Sequence, residues 1–474
     1  MRMSDAEAIM WAVERDPALR SDFCNLTILD HRPSDDRLLR SLDRALAAIP
    51  RLRQRVIDAP LRIVPPEFTD DPDLDVRSHV RYVTLPPIAD ERALLDMCAS
   101  LTERPLDRER PLWEFTLIDG LAEGRSALLQ QVHHTVTDGV GGLRLSRALV
   151  DLDAASSADT PFVEWRSTGD IEEQARRTEN RLDLARAAVF DAASRNLDAV
   201  RRIARGAGNV LVHPMDVPAR ANDAARVVAS FQRQAIVTER ARSDVLAGRS
   251  LDRRFDTTRV PLESARAAAH ALGGTLNDFF ITALAGALGR YHTRAGSDVR
   301  ELRLAMPIST RERGDVAANR FVPARVVVPI QPADDPVELF TAVREQLEHV
   351  KDETALTLAE GLAGVVSNLP TPLLIAMTRT QTRTVDFAAS NLRGSPVPLY
   401  LAGARILGSF PLGPRTGAAL NVTMLSYCDQ LDVGLNIDPA AVTDPDAFMH
   451  DCADSFGALL AFAGDVVADR RVPR

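Results

Sequence analysis

Two adjacent histidines, His133 and His134, are followed by Asp138 and Gly139 in the run Gln131-Val132-His133-His134-Thr135-Val136-Thr137-Asp138-Gly139. Histidine ordinarily titrates near pH 6.5, so an imidazole can take a proton and return it under working conditions. Transfer of an acyl group from a thioester to an alcohol needs both steps, one at the attacking hydroxyl and one at the leaving thiolate. Neighbouring side chains diverge, so one of the two rings can address a cleft directly. We read His134 as the base and His133 as support for the turn. Asp138 suits a structural cation, and Gly139 permits a backbone conformation or a close approach denied to other residues. Zinc fits poorly, because adjacent histidines point apart and no HExxH or Cys-x-x-Cys spacing occurs. No metal or cofactor is expected.

The flanking patterns say what positions this run. Leu128 to Val132 reads as a buried strand and Leu143 to Leu152 as an apolar-periodic helix, so His134 falls where a strand gives way to a turn. Upstream, the spacing predicts a helix over Asp5 to Arg15, a strand at Asn25 to Leu29 and an amphipathic helix from Leu38 to Ile49 ended by Pro50. A further helix spans Glu91 to Leu101, and Pro111-Leu112-Trp113 opens a strand. Trp113 and His79 are read as core and structural residues. In the second half, helices are expected at Leu262 to Leu272, Leu276 to Tyr291 and Pro336 to Lys351, with strands at Arg253 to Phe255, Leu302 to Met306 and Ala324 to Ile330. Asp444-Pro445 starts a closing helix.

At 474 residues the chain exceeds what one core usually organises, so two domains are the default. A net charge of -9 argues against nucleic acid as the main partner. Lys351 is the sole lysine, a bias to which no chemistry is assigned. Cys24, Cys98, Cys428 and Cys452 lie far apart, which predicts reduced thiols in a cytoplasmic setting. The amino terminus has no apolar core of signal-peptide length, and no run approaches the ~20 apolar residues of a membrane span. Membrane contact is therefore expected to be peripheral. The stretch Ile171 to Gly206 is helical in period and carries Arg195, Arg201, Arg202 and Arg205. It reads either as a crossover helix packed between two halves or as a helix resting on an anionic membrane or lipid-droplet surface.

The string His133-His134-Thr135-Val136-Thr137-Asp138-Gly139 resembles the HHxxxDG motif of the chloramphenicol acetyltransferase and condensation-domain superfamily. Together with Arg104-Pro105-Leu106-Asp107 and Arg110-Pro111-Leu112-Trp113-Glu114-Phe115, it is similar to the bacterial wax ester synthase/diacylglycerol acyltransferase family. The resemblance implies an α/β (α+β) fold of two chloramphenicol-acetyltransferase-like domains, with mixed sheets flanked by helices and a tunnel between them. We place these domains at 1–165 and 227–474, with a helical crossover at 166–226. It also implies O-acyl transfer from long-chain acyl-CoA to diacylglycerol or a fatty alcohol, giving triacylglycerol or wax esters.

Further matches supply candidate site residues. Asn277-Asp278 matches an Asn-Asp motif, and Asn277 either hydrogen-bonds a reacting oxygen or fixes the base, or simply belongs to a helix cap. The stretch Leu420 to Tyr427 places Asn421 or Ser426 along the cleft, unless they are inward polar residues of a sheet. Pro307-Ile308-Ser309-Thr310-Arg311 makes Arg311 the candidate cation for Asp138, an ion pair that would hold the motif loop across the halves. The sequence departs from the family at Ser21-Asp22-Phe23-Cys24 and at Ser390-Asn391-Leu392-Arg393-Gly394. Those departures leave open a carrier-protein thioester or a specialised lipid acceptor, and the fold alone leaves open a non-catalytic lipid-binding protein.

Overall fold

The computed structural model describes residues 2–58, 65–86, 90–136, 145, 147–155, 241–309, 321–351 and 370–463. Asp138, Gly139, Arg311 and the arginine-rich stretch at 171–206 lie outside them. In chain order the strands are β1 (Asp22–Leu29), β2 (Gln54–Ile57), β3 (Glu67–Asp70), β4 (Val80–Thr84), β5 (Trp113–Asp119), β6 (Ser126–His133), β7 (Val150–Asp151), β8 (Arg254–Pro261), β9 (Glu301–Ser309), β10 (Phe321–Pro329), β11 (Phe387–Arg393), β12 (Tyr400–Leu401), β13 (Ala404–Leu412), β14 (Leu420–Tyr427) and β15 (Gln430–Ile437). The helices used below are α1 (Asp5–Val13), α2 (Asp35–Ala48), α3 (Glu91–Glu103), α4 (Leu262–Ala271), α5 (Leu276–Arg294), α6 (Pro336–Lys351), α7 (Thr371–Thr382) and α8 (Pro445–Leu460).

Two mixed sheets carry the architecture, with a short β2-β3 ribbon beside them. The first has the order β4-β5-β6-β1-β13-β12-β7 and the second β10-β9-β11-β14-β15-β8. Every residue of β6 is buried, which suits an interior strand covered on both faces. It runs antiparallel to β1 in a register that pairs Asp22 with His133 and Cys24 with Gln131. Strand β13 comes from late in the chain yet pairs antiparallel with β1, from Cys24 opposite Leu412 to Leu29 opposite Ile406. The first sheet is therefore completed by a segment that chain position assigns to the second half. Gly434 marks where β13 lies against the second sheet, since a Cβ there would meet the Pro411 carbonyl oxygen at 2.1 Å.

The second lobe is built around α5. Thr275 and Asp278 cap it reciprocally: the Asp278 carboxylate accepts the Thr275 N–H at 2.8 Å, and Thr275 Oγ1 accepts the Asp278 N–H at 3.3 Å. Phe279, Phe280, Leu284 and Leu288 are fully buried between the sheet and α6 and α8, each contributing roughly 1.5–3 kcal/mol of apolar burial. Gly289 lets α5 approach the chain beyond β10, where any Cβ would stand 2.0 Å from the Ile330 carbonyl oxygen. Among the described residues, no single helix is long and apolar enough to cross a membrane. One expected element ends early: residues 147–149 are helical, but Val150 and Asp151 are already strand and pair with Leu401 and Tyr400. The backbone partners offered by β12 outweigh the apolar periodicity that predicted helix to Leu152.

Candidate active site

His133 closes β6, and its backbone N–H donates to the Leu112 carbonyl at 3.0 Å. Its ring is 3 % exposed and turned toward α1, edge-on to Trp11 with centroids 6.0 Å apart. Nδ1 lies 2.7 Å from Thr135 Oγ1, which can donate or accept, and 3.1 Å from the Thr135 backbone N–H, which can only donate. The contacts are all satisfied with Nδ1 accepting and the ring proton assigned to Nε2. Nε2–H then donates to Glu14 Oε2 at 2.5 Å. Both ring nitrogens are thus occupied by the protein's own groups, which fits a supporting part for His133 rather than proton shuttling.

His134 differs in burial and in position. It is only half-buried, it occupies the first turn residue after the strand, and its ring lies against Phe23 with centroids 5.2 Å apart. Its backbone N–H donates to the Ser21 carbonyl at 3.3 Å. The turn is closed by the Val136 N–H on the His133 carbonyl at 3.0 Å and by Arg51, which donates to the Thr135 carbonyl at 2.5 Å and is itself paired with Glu7. The segment Ser21 to Cys24, which departs from the family pattern, therefore leads into and begins the strand that flanks both histidines.

Beside this turn, a cavity of about 890 Å3 opens between the lobes. His133 and Asp22 border it, and His134 is not among its described walls. Eight arginines and six carboxylates line it. Asp22 is largely neutralised: Arg20 donates to both of its oxygens at 3.0 Å, Gln131 donates at 2.8 Å, and Arg253 lies 3.6 Å away. Asp438 accepts from the Ser250 N–H and hydroxyl at 2.9 and 2.6 Å and lies 2.7 Å from Arg415. Arg249 makes a different set of bonds, donating to the Gly417 and Gly248 carbonyls, each at 2.7 Å. Burial lowers the pKa values of both Arg249 and Arg415 from the ordinary arginine range.

The candidates on the second lobe are placed apart. Asn421 and Ser426 are five residues apart on β14, so strand alternation puts them on opposite faces and only one can face the first lobe. Asn421 is buried, donating to the Pro414 carbonyl at 2.9 Å and accepting from Thr423 Oγ1 at 3.0 Å. Ser426 is half-buried and accepts the Gly394 N–H at 3.3 Å. Asn277 is half-buried in the first turn of α5, where its neighbour Asp278 does the capping. Trp113 is core, donating its indole N–H to the Leu52 carbonyl at 2.6 Å. His79 stacks on it, and burial pushes His79 below its ordinary pKa. Burial likewise raises the Cys98 thiol to about 12, which suits packing rather than nucleophilic attack.

Glu14 and Arg253 escaped the sequence reading as site residues, and Ser21 and Asp22 entered it only as part of a departure from the family pattern. Glu14 left a fainter trace, since it caps the carboxyl end of α1 three residues after Trp11, in line with the helix's buried face, where an apolar residue is the norm.

A family model described as the wax ester synthase/diacylglycerol acyltransferase catalytic domain matches residues 3–280, and one for the C-terminal domain of the same proteins matches residues 317–460. A Mycobacterium tuberculosis protein, provisionally named a diacylglycerol O-acyltransferase, is 33% identical over 475 residues, covering 98% of this chain and 93% of its own length. Among solved structures, the wax ester synthase/diacylglycerol acyltransferase of Marinobacter aquaeolei VT8 superposes with a TM-score of 0.63 at 21% identity, covering 98% of this chain and all of that one. The starter condensation domain of rhizomide synthetase, solved with C8-CoA, gives 0.58 at 13% identity over 98% of this chain and 94% of its own. At such identities the two structures speak for the fold alone.

Proposed function

Because this chain belongs to the wax ester synthase/diacylglycerol acyltransferase family, and is an acyltransferase of that family, we propose that it moves the acyl group of a long-chain acyl-CoA onto the hydroxyl of diacylglycerol or a fatty alcohol. His134 takes the hydroxyl proton as the oxygen attacks the thioester carbonyl carbon. A tetrahedral intermediate forms, the carbon–sulfur bond breaks, and the imidazolium returns the proton to the thiolate. The products are the ester and free CoA. The observation that carries this reading is the asymmetry of the two histidines: His133 is buried with both nitrogens occupied, while His134 is half-open at the strand end.

The guanidinium-rich cavity supports a phosphate-bearing donor, since arginine forks match phosphate oxygens. Asn277 is proposed as a donor to the oxyanion, and Asp138 with Arg311 as the pair that holds the motif loop. Asp138→Asn should then lower folded yield at least as much as turnover, as read by soluble expression beside specific activity. Contact with a membrane or lipid-droplet surface is proposed to be peripheral, in a cytoplasmic setting, and flotation with anionic vesicles tests it.

The decisive experiment incubates the parent and His134→Ala with palmitoyl-CoA and a mixture of diacylglycerol and hexadecanol, followed by lipid-product analysis. Turnover should fall by about 10²- to 10⁴-fold with acyl-CoA binding retained. Parent-level activity in the variant removes His134 from the mechanism, and the product identifies the acceptor class.

A further inference from the structure

We propose that Glu14 is the positioning residue of the active site, acting on His134 through His133 and Ser21. This rests on reading His134 as the base. The two oxygens of Glu14 take two different donors: Oε1 accepts the Ser21 backbone N–H, and Oε2 accepts His133 Nε2–H at 2.5 Å. Ser21 in turn accepts the His134 backbone N–H through its carbonyl at 3.3 Å, and His133 is the residue from which the His134 turn departs. One carboxylate at the end of α1 therefore clamps both strands, β1 and β6, on either side of the base.

A carboxylate is the group this arrangement requires. Both partners present N–H donors, so a side chain with two acceptors satisfies both. Glutamine has one acceptor and one donor, and would set its amide N–H against either Ser21 N–H or His133 Nε2–H. His133 could accommodate it by moving its proton to Nδ1 and donating to Thr135 Oγ1 at 2.7 Å, which sets that proton against the Thr135 backbone N–H now donating at 3.1 Å. With a glutamine in place of Glu14, the Nε2 tautomer leaves one donor facing another and the Nδ1 tautomer gives up the bond from the Thr135 N–H, so the parent's arrangement is not kept. The site is dry enough for that to matter, with the His133 side chain 3 % and that of Glu14 9 % exposed. Glu14 lies 119 residues from His133 in the chain, so the bond ties the amino-terminal helix to the motif.

The test uses the full chain as parent, Glu14→Gln, His133→Asn and the double variant, each labelled with ¹⁵N-histidine, and the single-turnover rate of acyl transfer from palmitoyl-CoA. In the parent, the resonances lost in His133→Asn should report a ring protonated on Nε2 and bare at Nδ1; the opposite tautomer overturns the proposal whatever the variants do. In Glu14→Gln that pattern should change, and the transfer rate should fall on the order of 10²-fold, the cost of a small misplacement of a reacting group, with KM for palmitoyl-CoA within about twofold. In the His133→Asn background, Glu14→Gln should add little further loss, because residues acting through one another are non-additive. Unchanged ring signals and rate in Glu14→Gln, or losses that multiply in the double variant, overturn it. Full activity in His134→Ala would instead strike the base assignment, and the histidine spectra would still report the Glu14–His133 bond.

Discussion

The open end of β6 and the corresponding stretch of β14 both carry polar side chains at the edge between lobes, and they use them differently. At β6, side chains bind one another and the strand neighbours of His134: Glu14 to His133, Arg20 and Gln131 to Asp22, with His134 itself half-buried. At β14, they are turned chiefly on the local backbone: Asn421 holds the Pro414 carbonyl as well as the Thr423 hydroxyl, and Ser426 takes the Gly394 N–H. Polar residues on a cleft wall are therefore not equivalent. On the proposed mechanism, the first lobe orients the reacting group and the second frames the wall opposite.

This contrast is challenged most forcefully at Asp22. Removing that carboxylate by Asp22→Ala leaves Arg20 and Arg253 beside each other in a nearly closed site, with side-chain exposures of 14% and 10%. We expect a loss of about 3–5 kcal/mol in urea unfolding, and a loss within experimental error would show that the arginines relax into the cavity without it. Next comes Asn421→Ala, which strands one carbonyl and one hydroxyl and should lower stability by about 1–2 kcal/mol while leaving the transfer rate close to parent. A rate loss of more than about tenfold with an unshifted Tm would place Asn421 in the chemistry and erase the contrast between the lobes. Ser426→Ala, on the other face of the same strand, should change stability by less than about 0.5 kcal/mol.

One buried histidine in each lobe offers a finer test. Burial lowers the pKa of both His79 and His292. His292 donates through Nδ1 to the Leu288 carbonyl at 2.7 Å and pairs through Nε2 with Ser243. A depressed folded-state pKa means the unfolded chain binds more protons, so the stabilisation is complete above about pH 6.5 and is lost as pH falls toward the folded value. Unfolding free energy should therefore decline below pH 6.5, by at most ~1.4 kcal/mol per pH unit for each histidine. His79→Gln and His292→Gln should each flatten that slope; an unchanged slope in either would mean that ring already titrates normally in the folded protein.

Much of the framework was legible in one dimension. The burial pattern of Leu128 to Val132, the capping residue Thr275, and the proline that opens α8 are local signals, and the elements stand where they point. That the rings of His133 and His134 point apart was legible for the same reason, because neighbouring residues at a strand end diverge by backbone geometry. The helix expected to run to Leu152 failed for a non-local reason, since Val150 and Asp151 found backbone partners in Leu401 and Tyr400, some 250 residues on.

The order of residues was enough to say which types could move a proton, where most strands and helices begin, and to which family the chain belongs. Periodicity, capping and motif spacing are properties of contiguous residues, so they survive without coordinates. Folding in three dimensions was needed to establish that β13 completes the first sheet, that Asp22 and Phe23 flank the histidines, and that Glu14 is bound to His133. Those facts rest on hydrogen bonds between segments far apart in the chain, and a carboxylate's choice of partner depends on which donors folding buries beside it.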